Sequence, residues 1–390
     1  MQEFIKTDLN DEVIRLSRFS FGVNNLTYEA FKQEEGFRQK GLFDVVALRS
    51  EGQLLSSCYL WPLEMRLRES VVKMCGLGTL ASSAVNRGKG AVKQLLAESL
   101  KQMKNEGFIV SALYPFNIGF YRKYGWERFD DIIRYTLSPA IIRKTGQLKD
   151  YTVDDTVDPD EETLAFYNRM AQKQYNRVQK SKAHWEVDLS VRFPDDVDKR
   201  VVRFRRGGEL RGLFLMHMIN DDGENILNIN NLLFEDEKTL PAILEFIASF
   251  SMQFSKVRID LPADIDLWPY LSDRPEEIKT RQRSMIRIVD IMGLNGLKMA
   301  SPDTVINVEI TDKLAPWNAG KFTLRLGKGI LSVERSEHAD IKADIAALSG
   351  VVSGYTDFKT MINAGLVEVL GDSPFKKDFR PRTTLLEYFF

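Results

Sequence analysis

Cysteine is nearly missing from this 390-residue chain: Cys58 and Cys75 are too few for a disulfide framework or a Cys-rich metal site, and such scarcity fits a reducing cytoplasm. His184, His217 and His338 lie far apart and show no Cys, Asp or Glu partner at metal-ligand spacing, so no metal is expected. Every apolar run falls short of the roughly 20 residues a transmembrane helix needs. The start, MQEFIKTDLNDEVIRL, carries acids where a signal peptide would place a basic segment and then an apolar one. A membrane is therefore not an expected partner. An excess of one charge is missing too, with 54 Lys+Arg against 55 Asp+Glu, so nothing draws a polyanion to the chain as a whole and nucleic acid is not an expected partner. Arg203, Arg205, Arg206 and Arg211 form a local basic cluster on a strand. No aromatics interleave with them for base stacking, so they read as a solvated face or an interface. What is present is 44% hydrophobic residues, enough to give each of about two to four domains a core of its own.

From residue 43 the chain reads as a meander of three strands: FDVVALRS, a turn at Glu51-Gly52, LLSSCYLWPLEMRL, then VVKMCGLGTLASSA. An amphipathic helix follows, with Val92, Leu95, Leu96, Leu100 and Met103 at spacings of three and four and Gly107 as its stop. FIVSALYP reads as a buried strand, and FNIGFYRKYGWERF as a short helix leading into another. The order of hairpin, strand, helix, strand recurs in VVRFRR, Gly207-Gly208, LRGLFLMHMIN, ILNINNLLF, EKTLPAILEFIASFSMQF and KVRIDLP. Between the copies an acidic connector, KDYTVDDTVDPDEETLAFYNRMAQ, turns helical. NVEITD, FTLRLGKGILSVER and IKADIAALSGVVSGY then read as strand, hairpin, and strand into helix. The expectation is an α/β (α+β) chain of two related domains, 1–148 and 149–288, and a small α+β domain, 289–390.

Arg87-Gly88-Lys89-Gly90-Ala91 falls where a strand gives way to a helix. Free amides at a helix start, the positive end of the helix dipole and two basic side chains suit an anion, and glycines let phosphates approach the backbone. No Gly-Lys-Ser/Thr follows, so this is not a Walker loop, and the preceding strands are hairpin-connected, unlike a dinucleotide fold. The second copy has Glu235, Asp236 and Glu237 at the same junction, which would repel a pyrophosphate.

Together with Phe120-Tyr121-Arg122-Lys123-Tyr124-Gly125-Trp126, this pattern resembles the GNAT superfamily of acetyl-CoA-dependent N-acetyltransferases. The family's Phe-Tyr-x-Lys-x-Gly-Phe stretch is matched with Trp126 in the last place. Its Arg/Gln-x-x-Gly-x-Gly/Ala pattern is matched except for Val92 at the final small residue. The resemblance implies acetyl-CoA as co-substrate, with backbone contacts to the pantetheine at Leu80, Ala81 and Ser82 and pyrophosphate on the amides of Arg87, Gly88, Lys89, Gly90 and Ala91. Two such domains, the second degenerate, before a small α+β domain look like the Eis (enhanced intracellular survival) acetyltransferases, whose third domain resembles a sterol carrier protein. Here Pro316-Trp317-Asn318 and the segment from Asp344 to Gly354 carry that last likeness.

That family implies direct attack of a primary amine on the thioester, with Tyr121 matching its general acid and the C-terminal carboxylate, here on Phe390, matching its base. An acceptor amine with a pKa near 10 must lose a proton, and the departing thiolate must gain one. The acceptor implied is an aminoglycoside-like polyamine or a lysine side chain, and the family's homo-oligomer is a hexamer. Tyr121 also reads as a core aromatic, and Leu385 to Phe390 as an apolar end docked for stability. Two further readings are an aminoacyl-tRNA-dependent peptidoglycan transferase and a non-enzymatic lipid-binding or scaffold protein.

Overall fold

Three β-sheets organise the chain, for which a computed structural model describes residues 2–22, 28–174, 176–192, 198–221, 223–371 and 375–388. The N-terminal elements are β1 (Gln2–Thr7), α1 (Asp11–Phe21), α2 (Tyr28–Gln39), β2 (Asp44–Ser50), β3 (Gln53–Leu67), β4 (Ser70–Ser82), α3 (Ala91–Asn105), β5 (Val110–Leu113), α4 (Ile118–Arg122) and β6 (Glu127–Arg128). Next come β7 (Asp131–Leu137), β8 (Thr152–Thr156), α5 (Glu161–Lys173), α6 (Lys182–Arg192), β9 (Lys199–Arg206), β10 (Glu209–Asp221), β11 (Glu224–Phe234), α7 (Thr239–Ala248), β12 (Lys256–Pro262), β13 (Glu277–Gln282) and β14 (Met285–Ile288). The last set is β15 (Thr304–Thr311), β16 (Gly320–Gly327), β17 (Ile330–Arg335), β18 (Ile341–Asp344), α8 (Ile345–Ser353), α9 (Phe358–Asn363) and β19 (Val367–Val369).

Local sequence explains many of these boundaries. The hairpin turns at Glu51-Gly52, Gly207-Gly208 and Lys328-Gly329 each hold two successive left-handed residues, the geometry that matches strand twist. The Asn10 side chain accepts the N–H groups of Glu12 and Val13 to start α1. On α3 the residues at helical spacing, Leu95, Leu96, Leu100 and Met103, are all buried against Cys58, Leu60, Cys75 and Leu77 of the sheet.

The first sheet is ordered β1-β2-β3-β4-β5-β14-β6 and the second β8-β9-β10-β11-β12-β7-β13; each is antiparallel except for one parallel pair, β4 with β5 and β11 with β12. The repeated order read from the sequence is thus a repeated topology. Each sheet also takes one strand out of turn. β7 follows the first copy but lies in the second sheet, where Tyr135 and Leu137 join its core. β14 follows the second copy but lies between β5 and β6, where Met285 joins the first core. The chain accordingly forms two compact bodies, Met1–Phe129 with Ser284–Thr384, and Asp130–Arg283 with the segment that starts at Leu385.

The acidic stretch after residue 150, read as a connector, is instead edge strand β8 followed by α5, and the basic cluster on β9 is its complement. Arg203 and Arg205 both bind Asp154, and they reach Asp160 and Glu162 at the start of α5. Charge pairing across neighbouring strands explains both runs at once.

The third sheet, β17-β16-β15-β18-β19, packs with α8, whose residues are all buried, and belongs to the first body. Two buried arginines fasten it there. Arg68, in a left-handed turn after β3, donates to the carbonyls of Val351 and Val352 at the end of α8 (2.7 Å each) and to Arg380 O (2.6 Å). Cations suit a helix C-terminus. Arg287 of β14 pairs with Asp312 at 2.6 Å, both side chains at most 1% exposed. The Pro316-Trp317-Asn318 turn docks on the residue after β14, Trp317 Nε1 donating to Val289 O at 2.8 Å.

Candidate active site

The edge of β4 is where the first sheet opens. Its parallel pairing with β5 runs only from Met74 to Gly76, whereas β4 continues to Ser82. On the β3 side the register slips: Ser57 faces Ala81 and Tyr59 faces Gly78, so Thr79 and Leu80 together oppose Cys58, and Thr79 takes φ +46°. This bulge turns the last residues of the strand, Leu80, Ala81 and Ser82, at a place where the β5 side offers no ladder partner.

From Ser82 an exposed loop leads to α3. Gly88 (φ +77°) and Gly90 (φ +86°) are both left-handed, and Gly90 caps the helix with no side-chain hydrogen bond to its first amides. Arg87 and Lys89 are exposed; Lys89 Nζ donates to Asn86 Oδ1 at 3.3 Å, and neither pairs with a carboxylate among the described residues. A helix start that keeps its amides uncapped, beside two cations, has the donor set a pyrophosphate needs. The start of α7 differs as its acids imply. Asp236 Oδ1 accepts the N–H groups of Lys238 and Thr239, so that helix supplies its own anion, and Arg206 (2.6 Å) balances it. Glu235 is engaged by Arg211 at 3.0 Å and Lys173 at 3.1 Å.

Tyr121 stands in α4, which Asn117 starts by accepting the Phe120 N–H at 2.8 Å. It is 4% exposed and shares a core cluster with Leu77, Ala91, Leu95 and Leu96, against which Leu80 and Val92 also pack. Tyr121 therefore joins one cluster with the β4 edge and the start of α3. Phe116, Phe120 and Trp126 meet its ring edge-on. Burial pushes its phenol above the ordinary tyrosine range, so it stays protonated at neutral pH.

Sequence reasoning missed the residues that hold this turn. Arg287 donates to the Tyr124 carbonyl and lies 5.3 Å from the Trp126 ring. Gly125 has φ +93°, and a Cβ there would sit 1.7 Å from Arg287 Nη1, so the motif's glycine is required both by its backbone and by the guanidinium. Arg122 closes the other side through Glu127, at 2.5 and 2.7 Å. The readable signal was an arginine inside the apolar strand SMIRIVDI, where a buried cation needs a partner.

Phe390 lies outside the described residues. The segment before it is buried in the second body: Asp130 Oδ2 accepts the Leu386 N–H at 3.0 Å, Arg177 pairs with Glu387 at 2.8 Å, and Tyr167 Oη donates to Glu387 O at 3.3 Å. Lys180, paired with Asp188 at 2.7 Å, lies among the rings of Tyr167, Trp185 and Tyr388. The cysteines are inert packing; burial pushes Cys58 up to about 12 and Cys75 well above its ordinary value. Among the described residues no group of His, Cys, Asp and Glu could hold a metal, and no helix is long and apolar enough to cross a membrane.

Family models match three stretches: an acetyltransferase (GNAT) domain over residues 3–129, a second acetyltransferase (GNAT) domain over 177–288, and a sterol carrier protein domain over 294–380. No curated protein matches the sequence. Among solved structures, the fold is similar to that of a GCN5-related N-acetyltransferase from Anabaena variabilis (17% identity, TM-score 0.86, 100% of both chains covered). It is also similar to a GCN5-related N-acetyltransferase from Kribbella flavida (16%, TM-score 0.82, 100% of this chain and 98% of that one) and to Eis1 from Mycobacterium abscessus (16%, TM-score 0.76, 98% and 99%). At such identities the likeness is one of fold. The chain thus carries two acetyltransferase (GNAT) domains in tandem ahead of a sterol carrier protein domain, the domain order of an Eis-like tandem GNAT.

Proposed function

We propose that the enzyme transfers the acetyl group of acetyl-CoA to a primary amine, on an aminoglycoside-like polyamine or a lysine side chain, at a single site in its first GNAT domain. The observation that carries this reading is the contrast between two helix starts: α3 begins at an exposed, glycine-lined loop flanked by Arg87 and Lys89, whereas at α7 the Asp236 side chain accepts the first helical N–H, that of Thr239. Leu80, Ala81 and Ser82 offer the open strand edge for the pantetheine, and the amides from Arg87 to Ala91 take the pyrophosphate.

Acetyl-CoA, when bound, supplies the thioester. Tyr121 donates its phenolic proton to the departing thiolate, and the carboxylate of Phe390 accepts a proton from the amine, either directly or through a water. An α-carboxyl is intrinsically a poor base, with a pKa near 3.5, so desolvation would have to raise it. We infer a cytoplasmic enzyme that works as a homo-oligomer, a hexamer by resemblance. The tRNA-dependent alternative loses its best basic face, since Arg203, Arg205, Arg206 and Arg211 are all engaged by acids.

Calorimetric titration with acetyl-CoA tests the reading. One molecule per chain is expected, lost in Gly90→Glu, which sets a side chain and a negative charge against the pyrophosphate. Gly90→Ala, with the same left-handed strain of about 1–2 kcal/mol but no charge, should retain weakened binding. Two molecules per chain, or normal binding by Gly90→Glu, would refute it.

A further inference from the structure

Glu34, on α2 of the first GNAT domain, has no part in the reaction as described, yet its setting is unusual for a carboxylate. It accepts Tyr59 Oη at 3.2 Å, and no cation pairs with it among the described residues. Its neighbour Glu35 shows the ordinary arrangement, held by Arg38 Nε and Nη2 at 2.7 and 2.6 Å. Glu34 keeps part of its surface accessible, while burial pushes its carboxyl up to about 7. A carboxylate so placed is unfavourable unless a cation comes to it.

The ring that binds it belongs to an aromatic group. Tyr59 stacks on Phe43 with centroids 4.7 Å apart, and Phe43 meets Trp61 at 4.4 Å. Tyr59 and Trp61 alternate along β3 with Cys58 and Leu60, which pack toward α3, so Glu34 lies on the opposite face of the sheet from that helix. Across the ladder Tyr59 faces Gly78, the residue before the bulge, and Trp61 faces Gly76, where the β5 pairing ends. The carboxylate is thus tied by one hydrogen bond to the strand position next to the open edge.

We propose that Glu34 and Tyr59 form the anionic end of the acceptor site and take a primary ammonium group of the incoming amine, with Phe43 and Trp61 as its aromatic surround. The proposal rests on the acetyltransferase reading. Tyr59 holds one carboxylate oxygen and leaves the other to the ammonium, a charge-assisted bond made stronger by the poorly hydrated setting. The titratable group facing Glu34 from β3 is Tyr59, also pushed well above its ordinary value; along α2, Glu35 and Arg38 hold each other, and on β2 Asp44 is taken by Lys6 at 2.5 Å.

Spermidine, whose ammonium groups stay charged near neutrality, is titrated by calorimetry into the acetyl-CoA-loaded full chain from about pH 6 to about pH 8. Wild type should bind more tightly as Glu34 ionises through about 7. Glu34→Gln, which keeps the shape and removes a desolvated charge, should bind at least about tenfold more weakly and without that pH dependence, with acetyl-CoA affinity unchanged. Tyr59→Phe should still bind, with the pH midpoint moved upward because a hydrogen bond that favours the carboxylate is gone. Equal spermidine binding by wild type and Glu34→Gln would overturn the assignment, and so would no binding by a wild type that still takes up acetyl-CoA; both results leave the acetyltransferase reading standing. Failure of wild type to bind acetyl-CoA would remove that reading and the assignment with it.

Discussion

Asp312→Asn is the sharpest test of how the sterol carrier protein domain supports the turn that follows Tyr121. Asp312 accepts four donors: Arg287 Nη2 at 2.6 Å, Asn318 Nδ2 at 3.1 Å, and the N–H groups of Leu314 and Ala315 at 3.1 and 3.0 Å. An asparagine can keep the two backbone bonds through its oxygen, but its NH2 would then confront the donors of Arg287 and Asn318. The Arg287 cation, fully buried, would be left without its counter-charge. At an effective dielectric of about 20 and a charge separation of about 4 Å the lost attraction is about 4 kcal/mol, within the roughly 3–5 kcal/mol expected for removing one partner of a buried pair. We expect a loss of that size in urea denaturation followed by tryptophan fluorescence, to which Trp126 beside Arg287 contributes. Because Arg287 also holds the Tyr124 carbonyl, kcat should fall with it while acetyl-CoA affinity changes little. Replacing both partners, Arg287→Met with Asp312→Leu, should recover most of the stability, since two apolar groups leave no orphaned charge. A single-variant loss under about 1 kcal/mol, or a double variant no more stable than Asp312→Asn, would refute the argument.

Tyr121→Phe deletes one hydroxyl and keeps the ring contacts, so turnover should drop by roughly 10²–10⁴-fold with acetyl-CoA affinity unchanged; normal turnover would leave Tyr121 a core aromatic. A few residues appended after Phe390 displace its carboxylate without altering a side chain, and should cut turnover while acetyl-CoA binding persists; an extended chain of normal activity would place the base elsewhere. Glu34 also predicts a stability trend. Its folded pKa of about 7 lies above an unfolded value of 4.5, so its contribution is whole below about 4.5 and is lost as pH rises through about 7, amounting to at most about 3 kcal/mol. Denaturation midpoints of wild type and Glu34→Gln should therefore diverge upward in pH in favour of the variant, and parallel curves would contradict it.

By itself the sequence determined the repeated meander and helix, the position of the glycine-rich loop before α3 and the difference between the two copies. Each of these is local: period-2 and period-3.6 apolar spacing, turn pairs at Glu51-Gly52 and Gly207-Gly208, and glycines against acids at a helix start are all legible within a few residues. Tertiary structure alone decided what depended on distant partners. Nothing in DIIRYTL says that β7 belongs to the second sheet, or in MIRI that β14 lies between β5 and β6, because an apolar strand can satisfy its ladder against several edges and the choice falls to the cores that form around it. Arg287 with Asp312 and Arg68 with Val352 at the end of α8 join residues 25 and 284 positions apart, and their charges are tolerable only because the fold brings the counter-groups to them. Glu34 shows the converse. On α2 it looks like any solvated acid, and only its burial beside Tyr59 in the fold withdraws water from the carboxylate and gives it a pKa its sequence does not reveal.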